Sequence, residues 1–356
     1  MNRFRVVIVD DSALFRTLLR NVLTEIPNCE VVASIGDSRT AIDKVAELKP
    51  DLVTLDVEMP EVSGIDVLRE LKRRRIKTNV VMISRFTAAG AQVTTDALIE
   101  GAFDFILKPS GSDPSENKKS LRAALREKIE ALCDAASDIA DATSGIDQAA
   151  ISSPATAKLD AVVIGCSTGG PDALSRVIPD LPGTLPVPVF IVQHMPAGFT
   201  ASLASRLNEA SDLEVLEAED GMRVRAGQVV MARGGLHLLL ARRSHDSVTI
   251  KLTDAPAEHS CRPAADYTLR SAVEIYQGQL LAVILTGMGR DGTAGCQLVR
   301  SRGGHVLAQH ADGCTVFGMP GSVVKAGLAN DVIKLPRIAA TIDRLVQGAA
   351  TNPDSR

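Results

Sequence analysis

Three polar residues in the second half of the chain stand where an apolar run breaks into a turn. Ser167 ends AVVIGCS (161–167), His194 ends VPVFIVQH (187–194), and Asp291 follows LLAVILT within GMGRDG (287–292). Together they supply a nucleophile, a general base and an orienting carboxylate, the inventory for acyl transfer at neutral pH. Ser167 also satisfies G-x-S-x-G with Gly165 and Gly169, and a helix beginning near Pro171 would bring backbone amides to where negative charge develops. The same glycine-rich turn also describes a dinucleotide or phosphate loop.

A second polar set lies in the first half. Five strand-like runs occur at Val6–Asp10, Glu30–Ile35, Leu52–Asp56, Val80–Ser84 and Phe103–Leu107. Asp10 and Asp11 come at the end of the first, Asp56 closes the third, Ser84 closes the fourth, and Lys108 follows the fifth. Any one of these acids is equally a helix cap or turn former. As a set at strand ends, carboxylates can hold Mg²⁺ and leave one of their number to attack phosphorus, while the metal and a lysine offset charge on the transferring group.

The elements that would position both sets alternate strand with helix. The first five runs predict a parallel, doubly wound α/β sheet with right-handed crossovers and ligands at the carboxyl ends of its strands. From Leu159 the alternation resumes: the strand 161–165, the strand within 187–195, a helix over 197–207, a strand over 280–286 and a helix from about Thr293. The expectation is two doubly wound parallel-sheet domains, flavodoxin-like and then Rossmann-like, and 356 residues suit two cores. Residues 1–133 carry 20 basic and 20 acidic side chains and residues 161–356 carry 18 of each. The acidic excess of the net charge of −4 falls on 134–160, an Ala-, Ser- and Thr-rich stretch that reads as a flexible linker.

Several function classes are disfavoured on the same grounds. Neither domain is basic enough for nucleic acid, and no helix-turn-helix pattern is present. No apolar run approaches a membrane span and the N-terminus runs directly into a strand, so a cytoplasmic protein without membrane insertion is expected. The six cysteines show neither paired nor metal-ligand spacing, which predicts reduced thiols with no disulfide and no zinc. A dinucleotide fold would end its next strand in an acid, and here that strand ends in Gln193 and His194. The glycine run also lacks the Lys-Ser/Thr of a Walker loop, and the order Ser, His, Asp differs from that of an α/β-hydrolase. Among the other histidines, His237 in LHLLL reads as structural and His245 as solvated, while spacing leaves His259, His305 and His310 open as partners for Ser167.

Two resemblances follow from these motifs. VIVDDS, LVTLDVEMPEVSG, VVMIS and FDFILKP resemble the receiver domain of two-component response regulators, with Arg85 departing from the small or polar residue common after Ser84. GCSTGG, VQHMPAGFTASLASRL, HSCRPAADYTLRSA, LTGMGRDG and VFGMPGSVVKAG resemble the catalytic domain of chemotaxis-type protein-glutamate methylesterases. Cys166 stands there for the commoner alanine and Gly321 for a frequent charged residue.

The resemblance implies a receiver at 1–125, a helix end and acidic linker at 126–157, and a methylesterase domain at 158–350. It implies Ser167, His194 and Asp291 as catalytic triad, with Thr168 and Met288 beside the reaction centre. Asp56 would be the phospho-acceptor, Asp10, Asp11 and Asp56 the Mg²⁺ site, and Ser84 and Lys108 the switch residues. The implied activity is hydrolysis of glutamyl methyl esters on methylated chemoreceptors, with deamidation of glutamine. A sensor histidine kinase would donate the phosphoryl group, and hydrolysis itself would need no cofactor. The linker would let the receiver cover and leave the serine crevice. The alternative is a phosphorylation-gated scaffold with an inactive hydrolase-like domain, which would have no need of all three triad residues.

Overall fold

The structure is a computed structural model and describes residues 3–142, 158–244 and 247–348. The chain divides into two compact units, with the division after Asp134. The first alternates β1 (Phe4–Val9), α1 (Ala13–Thr24), β2 (Cys29–Ile35), α2 (Ser38–Leu48), β3 (Leu52–Asp56), α3 (Gly64–Arg73), β4 (Asn79–Ser84), α4 (Ala88–Ile99), β5 (Asp104–Leu107) and α5 (Pro114–Ala142). Its strands are parallel in the order β2-β1-β3-β4-β5. β3 is buried along its whole length, as expected of a central strand covered on both faces. The order reverses between β1 and β3, and a doubly wound sheet opens its crevice at such a reversal.

One sequence expectation is corrected here. The stretch from Asp134 to Ala142 was expected to be flexible linker, and it is helical, continuing α5 through ALCDAASDIADA. Alanine loses no side-chain entropy in a helix, so a segment with little to bury still propagates one already nucleated. Residues 143–157, the remainder of the expected linker, lie outside the described residues.

The second unit contains β6 (Ala161–Cys166), α6 (Gly170–Val177), β7 (Val189–Gln193), α7 (Phe199–Ala210), β8 (Glu214–Glu217), β9 (Gln228–Met231), β10 (His237–Ser244), β11 (Ser247–Thr253), α8 (Ala265–Tyr276), β12 (Leu280–Ile284), α9 (Thr293–Ser301), β13 (His305–Gln309), α10 (Gly318–Lys325), β14 (Asp331–Ile333) and α11 (Ile338–Val346). Seven strands form one parallel sheet in the order β14-β13-β12-β6-β7-β9-β8, and β10 and β11 pair antiparallel as a separate ribbon. β6, β7 and β12 are wholly buried, and their alternate residues Val163, Phe190, Val192, Ala282 and Ile284 enter one core with Leu269 of α8. Here the order reverses between β6 and β12, the strands that lead to Ser167 and Asp291.

Candidate active site

The Ser167 turn is held from both neighbouring strands. Its N–H donates to the Thr286 carbonyl (3.0 Å), and its carbonyl accepts from the Gly170 N–H (2.8 Å) and from Gln193 Nε2 (2.9 Å). The Thr286 hydroxyl lies 3.0 Å from the Thr168 carbonyl and accepts the Val316 N–H at 3.0 Å. β12 stops at Ile284, two residues short of the strand expected over 280–286. Gly169 enters α6 at φ +78°, a left-handed conformation that glycine adopts without strain. Gly287 lies so close that a Cβ there would stand 2.8 Å from Ser167 Cβ and 2.5 Å from Met319 Sδ. Thr168 is buried and Met288 half-buried in the turn that also carries Asp291.

His194 is the first residue past β7, and its N–H donates to the Cys166 carbonyl across the ladder (3.2 Å). Its Nε2 lies 2.7 Å from Asp291 Oδ2. Asp291 is 1% exposed and accepts three backbone amides: Ala265 (2.6 Å), Asp266 (2.9 Å) and Gly292 (2.9 Å). Two of these amides open α8, where the helix dipole favours negative charge. Burial pushes the Asp291 carboxyl up, but His194 and these amides outweigh it and hold the group below the ordinary carboxylate range. Burial likewise disfavours the charged His194, yet hydrogen bonds with Asp291 and with the Cys261 thiol raise it to about 9.

The histidines left open by spacing are now separated. His259 belongs to the neighbourhood: its Nε2 is 2.9 Å from Asp266 Oδ2 and 4.0 Å from Asp291 Oδ1. His305 is paired with Asp331 (2.7 Å) at the start of β13, the strand end opposite to Ser167. His310 accepts the Asp312 N–H in its own loop, and His237 stacks on Tyr267 with ring centroids 4.1 Å apart. His245 lies outside the described residues. Cys166 is fully buried with its thiol pushed far up by burial, so it is unreactive despite preceding the serine. Sequence reading passed over Gln193, Thr286 and Cys261 as parts of this site. Only Gln193 carried a signal, as a polar residue ending an apolar strand.

In the first unit the polar set converges at the reversal between β1 and β3. Lys108 Nζ lies 2.9 Å from Asp10 Oδ2 and 2.7 Å from Asp56 Oδ2, with both acids buried. Asp10, Asp11 and Asp56 can each offer an oxygen within 4.8 Å of the others. Burial raises Asp56 to about 6 against the pull of Lys108, and Asp10 adds to the rise. Three converging carboxylates, one of them held up by burial and a like charge, suit a hard divalent cation that would relieve both effects. Ser84 closes β4 fully buried, accepting a hydrogen bond from Thr94 Oγ1 (2.8 Å), with its own hydroxyl 3.2 Å from the Arg85 carbonyl.

Comparison with known proteins agrees with both halves. The family model for CheB methylesterase matches residues 162–342, and that for the response regulator receiver domain matches residues 6–126. A protein-glutamate methylesterase/protein-glutamine glutaminase of Desulfotalea psychrophila is 40% identical, aligned over 98% of this chain and 100% of the relative. The protein of that name from Thermotoga maritima is 42% identical over 96% of this chain and 98% of its own. The crystal structure of the Thermotoga maritima CheB methylesterase catalytic domain superposes with a TM-score of 0.52 at 46% identity, covering 53% of this chain and all of that one. With a matching domain in each half and relatives aligned nearly end to end, the chain belongs to the CheB methylesterase family, with a response regulator receiver domain ahead of the esterase domain.

Proposed function

We propose that the chain is a phosphorylation-regulated protein-glutamate methylesterase and protein-glutamine glutaminase that works through Ser167, His194 and Asp291. The observation that carries this reading is the His194–Asp291 pair at the sheet reversal, next to the Ser167 turn. With Nε2 engaged by Asp291, the imidazole is held in place as the base that takes the Ser167 proton. Ser167 Oγ attacks the γ-carbonyl of a glutamyl methyl ester, His194 returns the proton to the leaving oxygen, and methanol departs. Water, deprotonated by the same imidazole, then releases glutamate and restores the serine. A glutamine side chain follows the same course with ammonia leaving. Asp291 stays ionised throughout and stabilises the imidazolium, with Thr168 and Met288 flanking the centre. A binding-only scaffold is not favoured, because it has no use for an ionised Asp291 buried against His194.

Residues 1–125 act as the receiver and 158–350 as the esterase, joined through 126–157. Asp56 accepts the phosphoryl group from a sensor histidine kinase, and Lys108 neutralises charge on it. Asp10, Asp11 and Asp56 would hold Mg²⁺, which when bound supplies positive charge to the transferring group. Ser84 then turns its hydroxyl to the phosphoryl oxygens. No helix among the described residues is long and apolar enough to cross a membrane. We assign the chain to the cytoplasm, acting on methylated chemoreceptors.

The test is methanol release from methylated receptor membranes, comparing the full chain with Ser167→Ala, each with and without a small-molecule phosphodonor. Loss of the nucleophile is expected to cut turnover on the order of 10⁴-fold. No release by the unaltered chain from any receptor would overturn the substrate assignment.

A further inference from the structure

Gln193 is the last residue of β7 and is 2% exposed. Its Nε2 donates to the Ser167 carbonyl at 2.9 Å and, more weakly, to the His194 carbonyl at 3.4 Å. Its Oε1 is buried without a hydrogen-bond partner among the described residues. A buried, unpaired carbonyl oxygen is costly, and methionine would fill the same length without that cost. The amide is therefore not explained by packing, and its donor end is the part in use. Room for it comes from Gly170, where a Cβ would stand only 1.9 Å from Gln193 Oε1.

The two residues that Gln193 touches each follow a strand, β6 and β7, where the two are about to part. Beyond the bond from His194 N–H to the Cys166 carbonyl, β6 turns into α6 while β7 runs into the Met195–Pro196 loop. We propose that Gln193 is a positioning residue that fixes the Ser167 backbone relative to that of His194 across this gap. The inference rests on the reading of Ser167 as nucleophile and His194 as base. Reaction geometry is steep, with about 10²-fold lost for a displacement of about 1 Å, so one well-placed donor has a measurable effect.

The experiment is steady-state methanol release from methylated receptor membranes by the full chain, comparing Gln193→Met, Gln193→Glu, Ser167→Ala and the unaltered protein across a pH range. Gln193→Met is expected to lower kcat by about ten-fold or more with KM held within about two-fold, the pattern of lost transition-state geometry. Gln193→Glu carries the discriminating signal. A buried carboxyl facing two carbonyl oxygens stays protonated to higher pH, and its O–H can then donate to the Ser167 carbonyl. Its kcat relative to the unaltered protein is expected to be near one in mild acid and to fall about ten-fold or more as pH rises. Gln193→Met with unaltered kcat overturns the proposal. So does an equal, pH-independent loss in Gln193→Met and Gln193→Glu, which would be a packing effect. If Gln193→Met fails to fold, the pH dependence of Gln193→Glu decides alone. Failure of the underlying reading looks different, because Ser167→Ala would then keep its activity.

Discussion

His194 Nε2 and Asp291 Oδ2, 97 residues apart in the chain, lie 2.7 Å from one another, and Asp291 spends its remaining acceptor capacity on three backbone amides. The carboxylate is fixed before it meets the histidine. The imidazole therefore takes its orientation from the start of α8.

This arrangement sets a pH dependence. Hydrolysis needs neutral His194, which burial favours but Asp291 and Cys261 oppose, holding the group up to about 9. Methanol release is expected to climb through the neutral range and level off only above about pH 9. Cys261→Ala removes one of the raising contacts and should move the curve to lower pH. A plateau reached already near the ordinary histidine value of about 6.5 would contradict both statements. The linkage has the matching sign: the folded value lies above the unfolded one, so this pair stabilises the fold fully below about pH 6.5, and the contribution is lost as pH rises through about 9.

Gly287→Ala should damage catalysis more than folding. The new Cβ would meet Met319 Sδ at 2.5 Å, Ser167 Cβ at 2.8 Å and Ser167 N at 3.0 Å, so the serine must give way together with the Met319 side chain. A fall in kcat on the order of 10²-fold is expected, read as slower labelling of the serine by a fluorophosphonate. Labelling at the unaltered rate would show that the turn absorbs the methyl group elsewhere.

In the receiver, Thr94→Val removes the hydrogen bond that Thr94 Oγ1 gives to Ser84 Oγ. In the proposed switch Ser84 leaves this contact to reach a phosphoryl group on Asp56, so the variant should switch more readily. A neutral hydrogen bond is worth about 0.5–1.5 kcal/mol net, so half-maximal activation should need about two- to ten-fold less acetyl phosphate. A requirement for more donor would mean that Thr94 supports the active arrangement instead.

Chelation should separate the two halves. Excess EDTA is expected to abolish phosphorylation of Asp56 and its effect on methanol release, while basal release continues. Asp10→Asn should behave alike, because Asp10 belongs to the acidic set and pairs with Lys108. Loss of basal release on chelation would place a metal requirement in the esterase.

Much of this was legible in the sequence, for a physical reason. β3 occupies the Leu52–Asp56 run, and Ser167, His194 and Asp291 all follow buried parallel strands, whose ends are where side chains meet a crevice. β8, β9 and β14 are three or four residues long, too short to show a period. The helicity of Asp134–Ala142 went unread because composition suggested a linker, whereas continuation of α5 decided it. Gln193 could not be linked to Ser167, nor Cys261 to His194, from spacing, since the first pair meets between neighbouring strands and the second through the approach to α8.

The position of β12 also has a consequence for biosynthesis. It pairs with β6, yet the ribosome makes it long after β6 and β7 have emerged. Until then the serine strand has a bare edge, and the Thr286 and Asp291 that complete its surroundings do not exist. A nascent chain at that stage displays the serine and histidine without the acid of the proposed triad. Until β12 is made the β6 edge on that side has no strand to pair with, a bare edge of the kind that invites wrong pairing during synthesis.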